Sequence, residues 1–375
     1  MISGIHRPTK ILVDLAAIKS NVENEIKNLK SGQKLWAVVK ANGYGHGSVV
    51  ISKTAIAAGA QGLCVAILDE AIELRKAGIK VPILVLGITL PKFASLAAEN
   101  DISLTVGDLD WLKKTSTFLS GTKLKIHLAI DSGMGRIGFN EDDAFLKAND
   151  YLLSHPEYDV EGMFTHFSTA DCHDLEYFDS QVKKFDHFKK MLRIKPKYIH
   201  CDNSAASIFN RQVDSDLVRY GIAMYGLNPS SAPHGIEIQP KFTLQPALCF
   251  VSELVFVKQI HANNAVGYGA TFKADTDEWI GTVPVGYADG WQRSMQGFKV
   301  KVGDVYCPIV GRVCMDQFMV LLPEKMPVGT PVELISADAK APNNIKAVAD
   351  YANTIHYEIA CLLSDRVPRE YLNKF

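Results

Sequence analysis

The chain is poor in the features that mark several large protein classes. Its seven cysteines (Cys64, Cys172, Cys201, Cys249, Cys307, Cys314 and Cys361) are odd in number and never spaced C-x-x-C. That argues against a disulfide frame or a cysteine zinc site and for free thiols in a reducing compartment. Neither charge is in excess: 40 basic residues face 41 acidic ones, for a net charge of -1. Neither nucleic acid nor a membrane surface is then an expected partner. No apolar run is long enough to span a bilayer. The opening Met1-Ile2-Ser3-Gly4-Ile5-His6-Arg7 has no signal-peptide core, so the expected location is cytoplasmic. Low-complexity linkers and solenoid repeats are missing as well.

What remains is an ordinary globular composition, with 47% apolar and 22% charged residues in 375. That length suits two domains, or one large barrel with an addition. Short apolar runs expected as strands recur at 35–40, 62–67, 82–86, 102–106, 124–130, 160–166, 198–201 and 217–219, with helical patterns between them. Eight such alternations suggest a (β/α)8 TIM-like barrel, taken to span residues 1–243. A doubly wound open sheet is the competitor. The barrel is preferred because polar residues recur at the strand ends: Lys40, Asp131, His166, Asp202 and Arg219. Such barrels carry their active sites at that end. From 244 to 375 the texture becomes Val-, Phe- and Tyr-rich with glycine turns, which predicts a mainly β domain interrupted by one helix from Asn344 to about Leu363.

The run Leu35-Trp36-Ala37-Val38-Val39-Lys40 ends an apolar strand in a lysine, and Gly43, Gly45 and Gly47 follow. Burial lowers a lysine's pKa, and the neutral amine is the form that attacks a carbonyl. A snorkelling lysine beside a flexible turn is the commoner explanation of a single such residue, so the rest of the chain must decide. The G-x-G-x-G spacing here is not the dinucleotide fingerprint. Loops after the seventh and eighth strands often hold phosphate in these barrels. Here they contain Ser204, a hydroxyl at a helix start, and the backbone N–H groups of Gly221 and Ile222. An amine at strand one with an anion seat at strands seven and eight suits a phosphorylated aldehyde, and pyridoxal phosphate carries both groups. The adjacent Asp171-Cys172-His173-Asp174 matches no zinc or iron spacing, so no metal is expected.

Several motifs then agree. The stretch from Val39 to Gly47 resembles the lysine motif of the alanine racemase family, and the match extends over nearly the whole chain. Asp131-Ser132-Gly133-Met134-Gly135-Arg136 is similar to that family's D-[TS]-G-M-G-R. Thr165-His166-Phe167, Arg219-Tyr220-Gly221-Ile222, Val266-Gly267-Tyr268-Gly269, Gly286-Tyr287-Ala288-Asp289-Gly290 and Gly311-Arg312-Val313-Cys314-Met315-Asp316 also fit, in order. The resemblance implies a pyridoxal-phosphate-dependent isomerase that interconverts L- and D-alanine and supplies D-alanine for peptidoglycan. It implies that Lys40 carries the cofactor and that Tyr44, Ser204, Gly221, Ile222 and Tyr357 surround its phosphate. Arg219 would face the ring nitrogen, while Arg136 and the Met315 backbone would hold the substrate carboxylate. Tyr268 would be the second acid–base group, reaching in from the other subunit of a homodimer with His166 behind it. Asp171, Tyr287, Arg293 and Arg312 would line the entrance.

Inverting a stereocentre by proton transfer needs one acid–base group on each face of the carbon. A phenol with a pKa of about 10 needs cationic or hydrogen-bonding neighbours to serve as one; His166 and Arg219 are the candidates. Arginine keeps its proton, which would leave a pyridine ring opposite it neutral and the electron sink weak. That disfavours a decarboxylase or transaminase. Broader amino-acid racemisation, or a non-catalytic cofactor-binding homeostasis protein, are the alternatives. In one departure, many relatives carry a lysine whose carbamate braces the arginine, where this chain has Ala129. A bound anion such as chloride, or a neighbouring side chain, is the expected substitute.

Overall fold

The computed structural model describes residues 3–119, 121–211, 213–230 and 237–374. They form two compact units. One comprises Ile18–Gly43 and Ser48–Leu244. The other comprises the chain up to Ala17, the insert Tyr44–Gly47, and the chain from Gln245 onward.

Strand β1 (Lys10–Asp14) belongs to the second unit, and the next eight strands build the first. These are β2 (Lys34–Val38), β3 (Gly62–Val65), β4 (Ile83–Val85), β5 (Ile102–Val106), β6 (Leu124–Ala129), β7 (Tyr158–Phe164), β8 (Tyr198–His200) and β9 (Leu217–Tyr220). All pair in parallel, in the order β8-β7-β6-β5-β4-β3-β2-β9. A parallel bridge between Asn203 and Arg219 joins the two ends, so the sheet is a nearly closed (β/α)8 barrel. Every residue of β3, β4 and β5 is buried. Strands covered on both faces read as unbroken apolar runs, as β3 and β4 do; in β5 Ser103 and Thr105 alternate with apolar residues and are buried all the same. The interior is packed with Trp36, His127, Tyr198 and His200; the Trp36 and Tyr198 rings meet edge to face at 5.4 Å.

The second unit is mainly β. It adds β10 (Leu248–Glu253), β11 (Phe256–Ile260), β12 (Ala265–Val266), β13 (Phe272–Lys273), β14 (Glu278–Val283), β15 (Lys299–Val302), β16 (Val305–Val310), β17 (Phe318–Leu322), β18 (Pro331–Ile335) and β19 (Arg369–Leu372). Nine strands form one sheet in the order β11-β14-β17-β16-β15-β18-β10-β1-β19. A single cut after residue 243 therefore does not describe the chain, because β1 pairs antiparallel with β10 and parallel with β19. Its pattern explains the placement. Ile11 and Val13 are buried while Lys10, Leu12 and Asp14 are only partly so. One dry face and one wetter face suit an antiparallel sheet better than a barrel stave. In the core Trp291 stacks on Phe318 and meets Phe250 and Phe298 edge to face. Buried Asp289 takes two bonds from Arg7, at 2.7 and 3.0 Å.

The expected helix from 344 to 363 is two, Ile345–Tyr351 and His356–Leu362. Asn353 takes φ 55°, a left-handed residue just past a helix end. Thr354 N–H returns to the Ala349 carbonyl at 2.9 Å and closes the first helix.

Candidate active site

A cavity of about 240 Å³ opens where the barrel strands end, lined by Lys40, Gly87, Ile130, Arg136, Phe164 and His166 among others. Its described lining carries two cations and no carboxylate. Lys40 lies two residues past β2 and is half-buried. Immediately after it the backbone makes a left-handed turn: Ala41, Asn42, Gly43 and Tyr44 have φ of 52, 52, 61 and 50°. That conformation costs a residue other than glycine roughly 1–2 kcal/mol. Three such residues within four positions mark a segment held by its surroundings. Glu70 accepts from Ala41 N–H at 2.6 Å, Gly43 N–H bonds to the Val39 carbonyl at 2.9 Å, and the Asn42 side chain accepts from Ser48 N–H at 2.9 Å. Glu70 and Asn42 thus fix the lysine's backbone.

Arg219, on β9, is enclosed. One nitrogen donates to His200 Nδ1 at 2.7 Å; the other donates to the Thr165 carbonyl at 2.8 Å and the Cys201 carbonyl at 3.2 Å. The same Nη2 lies 3.4 Å from His166 Nδ1. A guanidinium can only donate, so this His166 nitrogen accepts and Nε2 holds the proton of a neutral ring. Burial, then Arg219, Arg136 and Lys40, push the His166 pKa well below the usual histidine value. His166 is therefore a hydrogen-bond donor at Nε2, not a cation.

Ser204 begins the short helix Ser204–Ile208, whose preceding Asn203 side chain accepts from Ala206 N–H at 2.9 Å. Its hydroxyl accepts from Gly221 N–H at 2.8 Å and keeps its own proton to donate. Ile222 starts a 3-10 turn, whose first N–H groups lack intrahelical acceptors. Arg136 is exposed at the end of a loop folded by Asp131, which accepts from Gly133 and Gly135 N–H at 3.0 and 2.9 Å. Among the described residues no hydrogen bond or ion pair to the Arg136 guanidinium occurs, and Ala129 is buried. Asp171 lies half-buried in the loop before the helix Glu176–Met191, its carboxyl raised by burial. It does not line the cavity.

The remaining expected residues lie in the second unit. Buried Tyr44 and half-buried Tyr357 have ring centroids 6.3 Å apart. Tyr268 is 70% exposed, on a turn between β12 and β13. Its flanking glycines take φ of 75°, and a Cβ on Gly269 would come within 3.1 Å of Arg312 Nη1. Met315 and Tyr287 are also exposed; their segments are joined by Tyr287 N–H to Cys314 O at 3.1 Å and Ala288 N–H to Met315 O at 3.0 Å. Arg293 is exposed on a 3-10 turn. Glu70, His127, Glu161 and His200 were not singled out from the sequence, although each of the last three is a polar residue buried within a barrel strand.

This is a barrel enzyme with its cationic and imidazole groups collected at the strand ends. The chain matches the alanine racemase N-terminal domain family over residues 13–229 and the C-terminal domain family over 247–371. It is 60% identical to the alanine racemase of Lactobacillus acidophilus, over 100% of both chains. Among solved structures, an alanine racemase from E. faecalis superposes with a TM-score of 0.95 at 47% identity, covering 99% of this chain and 100% of that one. One from Bacillus anthracis, solved with bound L-Ala-P, gives 0.93 at 42% identity, covering 98% and 96%. The chain belongs to the alanine racemase family.

Proposed function

We propose that the protein interconverts L- and D-alanine with pyridoxal phosphate bound at the barrel mouth. The observation that carries this reading is a half-buried lysine at a cavity with no lining carboxylate, backed by an enclosed arginine and a neutral histidine. That donor set fits an anionic aldehyde. Ser204 and the Gly221–Ile222 backbone, with Tyr44 and Tyr357, are the groups to hold its phosphate, and Arg219 is the donor for its ring nitrogen. When bound, the cofactor supplies a carbonyl for attachment to Lys40 and a conjugated ring that weakens the substrate's Cα–H bond.

The chain's own groups do the rest. Arg136 presents a two-pronged donor suited to the alanine carboxylate, and the Met315 backbone adds a further contact. Lys40 Nζ takes or returns the α-proton on one face, and Tyr268 Oη serves the other. An exposed tyrosine on a glycine-flanked turn suits a residue donated to a second copy, so the working assembly is a homodimer with shared sites. His166 Nε2–H supports the phenolate by hydrogen bonding, not by charge. Asp171, Tyr287, Arg293 and Arg312 line the entrance. D-alanine made this way would feed peptidoglycan synthesis from the cytoplasm; no described helix is long and apolar enough to cross a membrane.

Chiral analysis of L-alanine incubated with protein and pyridoxal phosphate is the direct test, with serine, lysine and arginine as a specificity panel. Conversion toward equal enantiomers is expected for alanine. A protein that binds the cofactor and leaves every amino acid unchanged would be a cofactor carrier, and the proposal would fail.

A further inference from the structure

Inside the barrel, a line of hydrogen bonds leads away from the mouth. Arg219 Nη1 is 2.7 Å from His200 Nδ1, and His200 Nε2 is 2.9 Å from His127 Nδ1. His127 Nε2 is 3.3 Å from Glu161 Oε2, which also accepts from Ser103 Oγ at 2.7 Å. Both histidines are fully enclosed, and Ser103 and Glu161 nearly so. None of the last four residues lines the cavity.

The chemistry of the two ends fixes everything between them. The guanidinium has only donors, so His200 Nδ1 must present a lone pair. A neutral His200 then carries its proton on Nε2, where the acceptor in reach is His127 Nδ1. His127 in turn carries its proton on Nε2, aimed at a carboxylate that only accepts. Burial lowers the pKa of both rings, His200 the further, with Arg219 adding to the effect. Burial raises the Glu161 carboxyl, but the bonds from His127 and Ser103 outweigh it and hold it at about 2. If His127 instead carried its proton on Nδ1, that N–H would meet the His200 Nε2–H. Relieving the clash by moving the His200 proton would turn an N–H against Arg219. A buried donor facing a donor is as costly as a lost partner, so the line has one permitted direction.

We infer that Glu161 and His127 are positioning residues for Arg219, the carboxylate setting the direction of the line and the line holding Nη1 inward. With Nη1 committed to His200, and Nη2 to two carbonyls and His166, the guanidinium keeps a single orientation. This assignment rests on the reading in which Arg219 faces the cofactor ring.

The test uses the full chain as purified, with ¹⁵N-labelled histidine, at pH 7. Two-bond nitrogen–proton correlation, assigned with His127→Gln and His200→Gln, reports each ring's tautomer. Both rings should be neutral and protonated on Nε2. A cationic ring, or an Nδ1–H form at either position, overturns the inference whether or not the protein racemises alanine. Glu161→Gln keeps an acceptor oxygen, and Glu161→Leu removes it. Glu161→Gln should retain the tautomers and lie within about threefold of the parent kcat. Glu161→Leu should lose the His127 Nε2–H signature and shift the absorption of the bound cofactor. Its kcat should fall about tenfold to a hundredfold, the weight of one charge-assisted hydrogen bond, with KM for alanine within about twofold. Equal loss in both variants, or parental kcat in Glu161→Leu, would count against positioning. If Glu161→Leu does not fold, the parent's tautomers and the Glu161→Gln comparison still decide.

Discussion

Replacing Gly45 with alanine should open the joint that sets Tyr44 beside Tyr357. Gly45 has φ +77°, and a Cβ there would lie 2.2 Å from the Ala360 carbonyl oxygen and 3.1 Å from its carbon. Carbon–oxygen contacts settle at about 3.3 Å or more, so the insert or the helix His356–Leu362 must retreat by about 1 Å. Neither moves freely. Arg369 Nε donates to the Gly45 carbonyl at 3.0 Å, and its Nη2 donates to the Leu363 carbonyl at 2.6 Å. Alanine in the left-handed region costs about 1–2 kcal/mol, and overpacking against fixed backbone about 1–3 kcal/mol. The expected loss is therefore about 2–5 kcal/mol. Gly78 is the control: its φ is +86° and nothing lies near its missing Cβ. Gly78→Ala should show the conformational cost alone, about 1–2 kcal/mol. Urea unfolding measures both, and titration with pyridoxal phosphate followed by absorbance measures the site. Only Gly45→Ala should weaken cofactor binding. Equal destabilisation of the two variants, with parental cofactor affinity in both, would refute the reasoning.

Other outcomes are equally specific. Tyr268→Phe should keep the bound cofactor's spectrum while exchange of the alanine α-proton with solvent deuterium slows by about 10² to 10⁴; exchange within tenfold of the parent would remove the phenol from the reaction. Arg136→Lys loses the planar fork, so KM should rise about tenfold or more for both enantiomers, with cofactor binding intact. A change confined to kcat would place the arginine's role elsewhere. Burial raises the Asp202 carboxyl to about 7 despite the nearby Arg219. Stability from this group is full below the unfolded value of about 3.9 and is lost as pH rises through 7. Asp202→Asn should therefore gain on the parent by up to about 3 kcal/mol between pH 4.5 and 8 in urea unfolding; parallel pH profiles would dismiss the buried charge.

The barrel was legible because its strands are apolar on both faces and break at polar residues, and Lys40, His166 and Arg219 stood out for the same reason. Pairing beyond the local sequence was not. Five residues in β1, three of them consecutive aliphatics, cannot name β10 and β19 as partners. Asparagine tolerates left-handed backbone, but no propensity anticipates Ala41 and Tyr44 there, because the bonds to Glu70 and Ser48 that hold the turn come from outside it. His127 and His200 meet across 73 residues, so neither signalled the other. The helix break at Asn353 did leave a sign: asparagine is among the residues that tolerate the left-handed end of a helix.

The place of β1 governs the order in which the chain can assemble. It lies between β10 and β19, with Val13 opposite Leu248 on one side and Tyr371 on the other. On the ribosome this segment emerges early, yet its neighbours emerge only after the whole barrel has been made. Until then Ile11 and Val13 have no sheet to cover them, and the segment is an open strand edge during synthesis. Among the described residues β19 has no other neighbour in the sheet than β1, so the edge of this sheet is completed by its earliest and latest strands together.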